Sequence, residues 1–432
     1  MLIYTDTISP RLRYIISFFS DCIGIEDFRI TSDEEEFLNY SGPRINYSNS
    51  KIAEEEIHVV PVALLMETGV REQNITISRW DGLESFFKTN GDLPFDIFAA
   101  SFYLVTCYEE YLPHQKDMYG RYAHENSIAF REGFLQIPLV NLWFMEFAKL
   151  IRQKFPSVQL SQPSFKFLPT YDIDESYAYL HKPGWVNFGG QVKDVIKGNF
   201  QNLRLRSKVV KGLGQDPYDA FDWMDQLHAE FALEPIYFFL MAEKRSRYDK
   251  NILASETSQQ ELINRLATKY PIGLHPSWQS GDKTELLEKE KKLLEQIISQ
   301  PVTSSRQHYI RLTLPQTYRQ LISAGMLEDY SMGYGSINGF RASIATPFYW
   351  YDLEKEEQTS LKVFPFCFME ANSYYEQQFT GDQALEEMFH YYTQVKEVNG
   401  TFITIWHNTF LGTASRFDGW RDIYKTFIKR II

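Results

Sequence analysis

The chain has 432 residues, which exceeds the roughly 250–300 residues at which single hydrophobic cores stop growing, so two domains are expected. The formal net charge of −12 argues against a nucleic-acid partner, because binding to phosphate needs basic surfaces. The three cysteines lie far apart and form no CxxC spacing, so the sequence indicates neither a cysteine zinc site nor a disulfide framework.

The sequence contains no segment with the 18 or so uncharged apolar residues that a membrane span needs. Its start lacks a basic region followed by an apolar run and a cleavage site of small residues. We therefore expect a cytoplasmic location, or the cell envelope if a leader has been removed.

The first 160 residues are predicted to form an α/β domain of unknown role. Apolar residues favour a strand over residues 57–62 and show helical spacing over residues 97–111 and 139–155. A mixed, turn-like stretch lies between the two helices. Prolines and serines over residues 155–169 interrupt any periodicity and predict the domain boundary.

Residues 165–432 alternate short apolar strands with longer helical segments, which is typical of a parallel sheet that is open or closed into a barrel. Helices are predicted over residues 218–231, 258–269 and 283–299. The seven predicted strands are residues 165–172, 235–241, 271–275, 306–312, 326–331, 362–368 and 401–407.

A basic stretch over residues 193–211 contains Lys197, Arg204, Arg206 and Lys208 with few acidic residues. We interpret it as a solvated loop or helix face, with an anionic polymer or a membrane surface as the alternative ligand.

Polar side chains fall at the ends of several predicted strands. Asp172 and Asp174 end the first, His275 ends the third, and His407 ends the last. Asp329 lies where the fifth strand ends. Because reactive groups of α/β barrels gather at the carboxyl ends of their strands, these residues are predicted to meet at one place.

Five short stretches, in this order, resemble the motifs of the polysaccharide deacetylase family, the NodB-like carbohydrate esterases and their amidase relatives. They are Thr170-Tyr171-Asp172-Ile173-Asp174, Ile272-Gly273-Leu274-His275-Pro276-Ser277, Ser305-Arg306-Gln307-His308-Tyr309, Asp329 to Tyr334 with Gly339-Phe340-Arg341-Ala342, and Thr404-Ile405-Trp406-His407-Asn408. The resemblance implies a distorted seven-stranded (β/α) barrel over residues 165–432, preceded by the smaller α/β domain that a bacterial subgroup carries. It also implies a divalent metal, with zinc expected and nickel or cobalt as alternatives, and removal of acetyl groups from N-acetylated sugars.

The same resemblance assigns roles to the residues at the strand ends. Asp174 and His275 are expected to bind the metal, and Asp172, which lies on the same face of the strand as Asp174, to act as the general base. Arg306 is expected to orient Asp172. His407 is expected to donate a proton to the leaving amine, with Asp329 or another carboxylate fixing its tautomer.

The third metal ligand departs from the family pattern. The family has a second histidine four residues after the first, but position 279 is Gln. Either His308 completes the site, or metal binding is weakened, or catalysis has been lost.

Aromatic residues near the motifs suggest contacts to a sugar, because sugars stack on aromatic rings. The predicted substrate contacts are Trp278, Tyr334, Arg341 and Trp406. The favoured function is a metal-dependent deacetylase acting on an N-acetylated glycan or cell-envelope sugar. The alternatives are a catalytically inactive barrel that binds glycan and a metal-dependent hydrolase of a small amide.

Overall fold

The computed structural model describes residues 1–25, 27–161 and 163–432. Its N-terminal part contains a four-stranded parallel sheet of order β2-β1-β3-β4 and a separate antiparallel hairpin of β5 and β6. The strands are β1 (Leu2–Thr5), β2 (Arg29–Thr31), β3 (Arg44–Tyr47), β4 (Ile57–His58), β5 (Ser78–Trp80) and β6 (Leu83–Ser85).

Helices pack against this small sheet through aromatic side chains. Phe19 on the first helix contacts Phe98, Phe144 and Phe147 of two later helices, and all four rings are buried. The helices of this part are α1 (Pro10–Ile23), α2 (Glu34–Asn39), α3 (Ile97–Val105), α4 (Ile128–Arg131) and α5 (Leu139–Lys154). The strand and helices predicted over residues 57–62, 97–111 and 139–155 are thus present, although the first two are shorter than expected.

The second part is built on a nine-stranded sheet of order β12-β13-β11-β10-β9-β8-β7-β15-β14. Neighbouring strands pair in parallel except β12 and β13, which are antiparallel. The strands are β7 (Lys166–Ile173), β8 (Ile236–Leu240), β9 (Ile272–His275), β10 (Ser304–Ser305), β11 (Glu328–Asp329), β12 (Phe348–Asp352), β13 (Glu357–Val363), β14 (Phe368–Met369) and β15 (Thr401–His407).

The sheet curls because one segment supplies strands near both of its ends. β13 pairs with β11 at one side of the sheet, whereas β14 pairs with β15 at the other. Only residues 364–367 separate these two strands, and five Cα steps span at most about 18 Å. Seven strand spacings in a flat sheet would cover about 34 Å. The two edges must therefore approach each other, which gives the distorted (β/α) barrel that the sequence predicted.

Helices cover the outside of this sheet. Those predicted over residues 218–231, 258–269 and 283–299 are present within a few residues, because their apolar residues recur at helical spacing. No helix in the described ranges is long and apolar enough to cross a membrane. The helices are α6 (Gly184–Ile196), α7 (Phe200–Val210), α8 (Phe221–Phe231), α9 (Thr257–Ala267), α10 (Thr284–Ile298), α11 (Gln316–Ser323), α12 (Gly381–Glu397), α13 (Asn408–Leu411) and α14 (Trp420–Ile431).

The strand predicted over residues 306–312 is wrong. The strand at this place is the two-residue β10, and His308–Ile310 forms a short helical turn. Tyr309 and Ile310 have positive φ angles of 59° and 54°, which an extended strand does not allow. The apolar character of this segment comes from burial in the turn. The strand predicted over residues 362–368 is also divided, between β13 and β14.

The N-terminal part and the barrel share one continuous apolar core. Ion pairs join them as well: Arg341 Nε lies 2.7 Å from Glu110 Oε1 in a buried pair, and Arg11 Nε lies 2.8 Å from Oε2 of the partly exposed Glu356. The hydroxyl of Tyr14 donates a hydrogen bond to a barrel carbonyl. The domain boundary near residue 160 stays a prediction, and the two sides of it are packed closely.

Candidate active site

All three predicted metal-binding residues come together at the carboxyl ends of β7, β9 and β10. Asp174 follows β7, His275 is the last residue of β9, and His308 lies just after β10. His275 Nε2 is 3.2 Å from Asp174 Oδ1, and His308 Nε2 is 3.5 Å from Asp174 Oδ2. One potential ligand atom from each residue lies within 4.8 Å of the others, so a single ion can reach all three.

The second nitrogen of each histidine faces an acceptor. His275 Nδ1 lies 2.6 Å from the carbonyl oxygen of Arg306, and His308 Nδ1 lies 3.0 Å from Asp249 Oδ1. Because both partners accept hydrogen bonds, each Nδ1 carries a proton. In a neutral imidazole the lone pair is then on Nε2, which faces Asp174. This is the orientation that metal-ligating histidines adopt when an outer partner fixes their tautomer.

The electrostatics of Asp174 fit a bound cation. Its Oδ1 is buried and accepts no hydrogen bond from any group in the described residues. Burial would raise the pKa of Asp174, but the neighbouring histidines His308, His275 and His407 together outweigh it and hold this pKa well below its usual range. Burial would likewise lower the pKa of His308, but Asp174 and Asp249 raise it to about 9. A metal ion that binds Nε2 would therefore displace a proton from this ring. One carboxylate and two imidazoles form a donor set that suits zinc and similar ions.

Asp172 is held beside this group by Arg306. The two side chains are buried, and Arg306 Nη1 donates a hydrogen bond of 2.8 Å to Asp172 Oδ1. Arg306 is fixed in turn by a bond from its Nε to the carbonyl of Tyr330 and by its position 4.4 Å above the ring of Phe238. Asp172 Oδ2 remains directed toward His275 Nε2, 3.9 Å away. This oxygen is free to accept a proton from a molecule in the site.

His407, at the end of β15, approaches the group from the other side. Its Nε2 lies 3.7 Å from Asp174 Oδ2, and its Nδ1 lies 2.6 Å from Glu370 Oε1. Burial would lower the pKa of His407, but the charges of Glu370 and Asp174 raise it to about 10. His407 is therefore a protonated imidazolium at neutral pH and can act as a proton donor.

A cleft of about 420 Å³, whose wall is rich in aromatic rings, is lined by Asp172, Asp174, His275, His308 and His407. Tyr248 and Tyr309 come from the barrel, whereas Tyr119 and Arg121 come from a turn of the N-terminal part. Arg121 is tied by a 2.7 Å hydrogen bond to the carbonyl of Tyr309 and by a 2.6 Å bond to Asp117. The Tyr119 and Tyr309 rings lie 5.3 Å apart. The N-terminal part therefore contributes directly to the cleft.

Comparison with known proteins gives one partial family match. Residues 1–156 match the model of a family of unknown function, DUF7033. No curated protein matches the chain.

Solved structures similar to this chain include two polysaccharide deacetylases and an allantoinase. A putative polysaccharide deacetylase from Mycobacterium smegmatis is 13% identical with a TM-score of 0.40, and the match covers 63% of this chain and 86% of that chain. A probable polysaccharide deacetylase from Pseudomonas aeruginosa is 11% identical with a TM-score of 0.39, covering 62% and 84%. The allantoinase is 12% identical with a TM-score of 0.38, covering 62% and 83%. Likeness at this level assigns no role to any residue of this chain.

Five of the seven predicted catalytic and metal-binding residues line the cleft. They are Asp172, Asp174, His275, His308 and His407. Arg306 is buried behind them and donates a hydrogen bond to Asp172. Gln279, at the position where the family has its second histidine, lies in the turn after β9, and His308 takes up the place beside Asp174.

Asp329 does not fix the tautomer of His407. It is fully buried, accepts hydrogen bonds from Ser305 and from the backbone and hydroxyl of Ser331, and has a pKa raised to about 6 by burial. Glu370 occupies the position beside His407 instead. The prediction of a catalytic role for Asp329 is corrected accordingly, because its carboxylate oxygens accept hydrogen bonds from Ser305 and Ser331.

The predicted substrate contacts also need correction. Trp406 is fully buried and packs on Tyr424, with ring centroids 4.5 Å apart. Tyr334 and Arg341 are buried beside Glu110 at the junction with the N-terminal part. None of these three side chains lines the cleft.

Trp278 does not line the cleft either, but it stacks on Tyr248 at a centroid distance of 4.0 Å. It supports the aromatic wall from behind, and Arg311 covers it with its guanidinium 4.6 Å from the ring centroid.

Two carboxylates of the site were not predicted. Glu370 follows β14 directly, so the same rule that identified Asp174 and His275 could have found it. Asp249 lies nine positions beyond the end of β8, in a loop, and no spacing in the sequence indicates that it reaches His308.

Proposed function

We propose that this protein is a metal-dependent hydrolase that removes acetyl groups from an N-acetylated glycan or cell-envelope sugar. The observation that carries the proposal is the convergence of Asp174, His275 and His308, with both Nε2 atoms facing Asp174, between Asp172 on one side and His407 on the other. This arrangement supplies a cation site, a base and an acid within one cleft.

Asp174, His275 and His308 would hold the metal ion, with zinc as the expected ion and nickel or cobalt as alternatives. Three protein ligands leave a coordination position open, which is typical of catalytic sites. When bound, such an ion polarises an amide carbonyl and makes water more acidic.

Asp172 accepts the proton of the attacking water. Its Oδ1 is occupied by Arg306, so Oδ2 is the oxygen that takes the proton. Arg306 keeps the carboxylate oriented and compensates its charge in a buried position. Because Arg306 is held by Tyr330 and Phe238, the base does not need to reorganise when a substrate enters.

His407 donates its Nε2 proton to the leaving nitrogen. Glu370 binds Nδ1, so the proton available to the substrate is on Nε2, the atom that faces Asp174 and the cleft. The products are a free amine on the sugar and acetate.

The cleft supports a substrate of limited size at the reacting end. Its volume of about 420 Å³ lies within the range of small-molecule sites. Tyr119, Tyr248 and Tyr309 offer rings on which a sugar can stack. The turn carrying Tyr119 and Arg121 narrows one side of the cleft, and this feature supports hydrolysis of a small amide as the second candidate function. We propose that residues 1–160 form a domain whose role is to complete this wall.

The test combines metal analysis with an assay of acetate release from N-acetylglucosamine oligomers and from a panel of small amides. Asp172→Asn is expected to abolish turnover while the protein keeps its metal. Asp174→Asn is expected to lose the metal. Asp222→Asn is the matched control, since this side chain is 83% exposed outside the cleft.

A protein that binds no zinc, nickel or cobalt and stays inactive when these ions are added would contradict the proposal. Glycan binding of equal strength with and without a chelator, with no turnover on the panel, would identify an inactive glycan-binding barrel.

A further inference from the structure

A helical hairpin protrudes from the barrel between β7 and β8. It comprises residues 182–213, with α6 and α7 as its two arms, and we refer to it as the α6–α7 hairpin. It emerges after the carboxyl end of β7, the strand end that carries Asp174. The catalytic arrangement described above uses no residue of this hairpin.

The α6–α7 hairpin exposes an unusual amount of apolar surface. Trp185, Phe188 and Ile196 are 73%, 68% and 79% exposed. Half of the sixteen large apolar side chains that are most exposed in the described residues lie in this segment of 32 residues. They are Trp185, Phe188, Val192, Val195, Ile196, Phe200, Val210 and Leu213. Contiguous exposed apolar surface on this scale marks an interaction site.

The exposed side chains of α6 lie along one face. Trp185, Phe188, Val192 and Ile196 follow each other at spacings of three and four residues, which places them on a single stripe. Asp194 lies on the opposite face of the helix, where it is buried and pairs with Arg206 of α7 at 3.0 Å. The polar face of α6 therefore packs inward, and its apolar stripe is turned away from the protein.

The hairpin is firmly attached at its base, so this exposure does not come from a fraying end. Asp216 accepts hydrogen bonds of 2.7, 2.8 and 3.0 Å from the backbone amides of Ala178, Tyr179 and Leu180. The guanidinium of Arg206 lies 4.5 Å from the centroid of the Tyr179 ring.

Basic residues accompany the apolar stripe. Residues 182–213 contain seven Lys and Arg residues and one Asp, a local charge of +6 in a chain whose formal net charge is −12. Lys193 on α6 and Lys197 just after it are exposed, and Arg204, Lys208 and Lys211 are exposed on α7 and just after it. An apolar stripe with a Trp and flanking lysines is the pattern of helices that lie in the interface of an anionic bilayer.

We infer that the α6–α7 hairpin docks this protein on the surface of a membrane that contains anionic lipids. Trp185, Phe188 and Ile196 enter the boundary between headgroups and acyl chains, while the lysine stems extend to the lipid phosphates. A polyanion such as a nucleic acid would use the basic residues but leave the stripe in water, and a neutral apolar partner would use the stripe but not the charge. Of these three, only an anionic bilayer surface satisfies both. The inference does not depend on the proposed hydrolase function.

The test is flotation of the full chain with vesicles of phosphatidylcholine, with and without phosphatidylglycerol. We expect binding to vesicles that contain phosphatidylglycerol, weaker binding to phosphatidylcholine alone, and a decrease as salt increases. Phe188→Ser with Ile196→Ser, and separately Lys193→Glu with Lys197→Glu, should each weaken binding about tenfold or more. The matched control is Met118→Ser with Leu327→Ser, since these side chains are 82% and 51% exposed outside the hairpin.

Three results would overturn the inference. The first is failure of the unaltered chain to float with anionic vesicles, and the second is binding of both the apolar and the charge-reversal variants as strong as that of the control. The third is a dimer that the apolar variant abolishes, with no binding to vesicles. Thermal unfolding of each variant checks that it folds. If the apolar variant does not fold, the charge-reversal variant still tests the inference.

Discussion

Glu370 Oε1 accepts two hydrogen bonds from His407, one of 2.6 Å from Nδ1 and one of 2.7 Å from the backbone amide. The carboxylate thereby fixes both the ring and the end of the strand that carries it. Its charge is the largest of the effects that raise the pKa of His407 against burial, to about 10. Glu370 is a positioning residue, since it acts on the cleft through His407.

Glu370→Gln is expected to lower kcat roughly tenfold to a hundredfold with little change in KM, because His407 loses its fixed orientation and a smaller fraction of it is protonated. With the charge gone, the pKa of His407 falls, so the alkaline limb of the activity profile moves to lower pH. NMR titration of the His407 ring measures this fall without any assay. Glu386→Gln, at an exposed position of α12, is the control. An unchanged His407 titration in the Glu370 variant would refute the role.

Asp249→Asn is expected to weaken metal binding about tenfold to a hundredfold, because a carboxylate that accepts the Nδ1 proton of a ligating histidine orients the ring and strengthens its donor nitrogen. Competition with a chelator measures this affinity, and Asp222→Asn serves as control. Asp249 also accepts a hydrogen bond from the amide of Trp278, so unfolding of the metal-free variant must be measured beside it. Equal metal affinity in Asp249→Asn and the unaltered chain would refute the role of Asp249.

The sequence predicted the barrel and most of its site because both follow local rules. Buried parallel strands give short apolar runs, and their carboxyl ends point to one mouth, so Asp174, His275 and His407 could be placed together without coordinates. Asp249 could not be predicted, because its approach to His308 depends on the path of a long loop.

The burial of single side chains also could not be predicted from the sequence. Trp406 and Arg341 stand near motif residues, but alternation along β15 turns Trp406 away from the side used by His407, and Arg341 pairs with Glu110, 231 positions earlier in the chain. Only the packing of distant segments decides such cases.

Tyr119→Ala is expected to raise KM several-fold while kcat and metal content remain close to those of the unaltered protein. The ring lines the cleft next to Tyr309 but makes no contact with the proposed acid or base. Met118→Ala is a matched control in the same turn, since Met118 is 82% exposed. A fall in kcat with unchanged KM would show that Tyr119 acts on the chemical step instead.

Arg341→Met is expected to lower the free energy of unfolding by about 3–5 kcal/mol, because it leaves Glu110 as an unpaired buried charge. Urea unfolding measures this loss. Glu230→Gln removes the partner of Lys425 in a pair whose side chains are 50% and 43% exposed, and should change stability by less than about 1 kcal/mol. A higher KM with unchanged stability would restore Arg341 as a substrate contact.

His228 gives the fold a dependence on pH. Its ring is buried, its Nε2 lies 2.8 Å from the hydroxyl of Tyr171, and burial lowers its pKa to about 4. In the unfolded chain the pKa of a histidine is about 6.5. A histidine that is neutral when folded therefore contributes fully to the stability of the fold above pH 6.5, and this stability is lost as the pH falls toward 4. The loss amounts to about 3 kcal/mol at most, from 1.36 kcal/mol per pKa unit.

The measurement is urea unfolding between pH 7 and pH 4 for the unaltered chain and for His228→Gln. The difference in free energy of unfolding between the two proteins should shrink as the pH falls. Carboxylates that titrate in the same range affect both proteins equally, so this change reports on His228. His390→Gln, at an exposed position, should follow the unaltered chain. Parallel curves for the unaltered chain and His228→Gln would contradict the assignment.

The segment that supplies both β13 and β14 links the architecture to the chemistry. Glu370 is the residue immediately after β14, so its carboxylate reaches His407 only when this strand pairs with β15. The strand pairing that closes the barrel is thus the one that brings Glu370 into contact with His407. A chain with an open barrel would still carry Asp174, His275 and His308, but His407 would lack the carboxylate that raises its pKa. A partly folded molecule could then hold an ion without the proton donor that we propose.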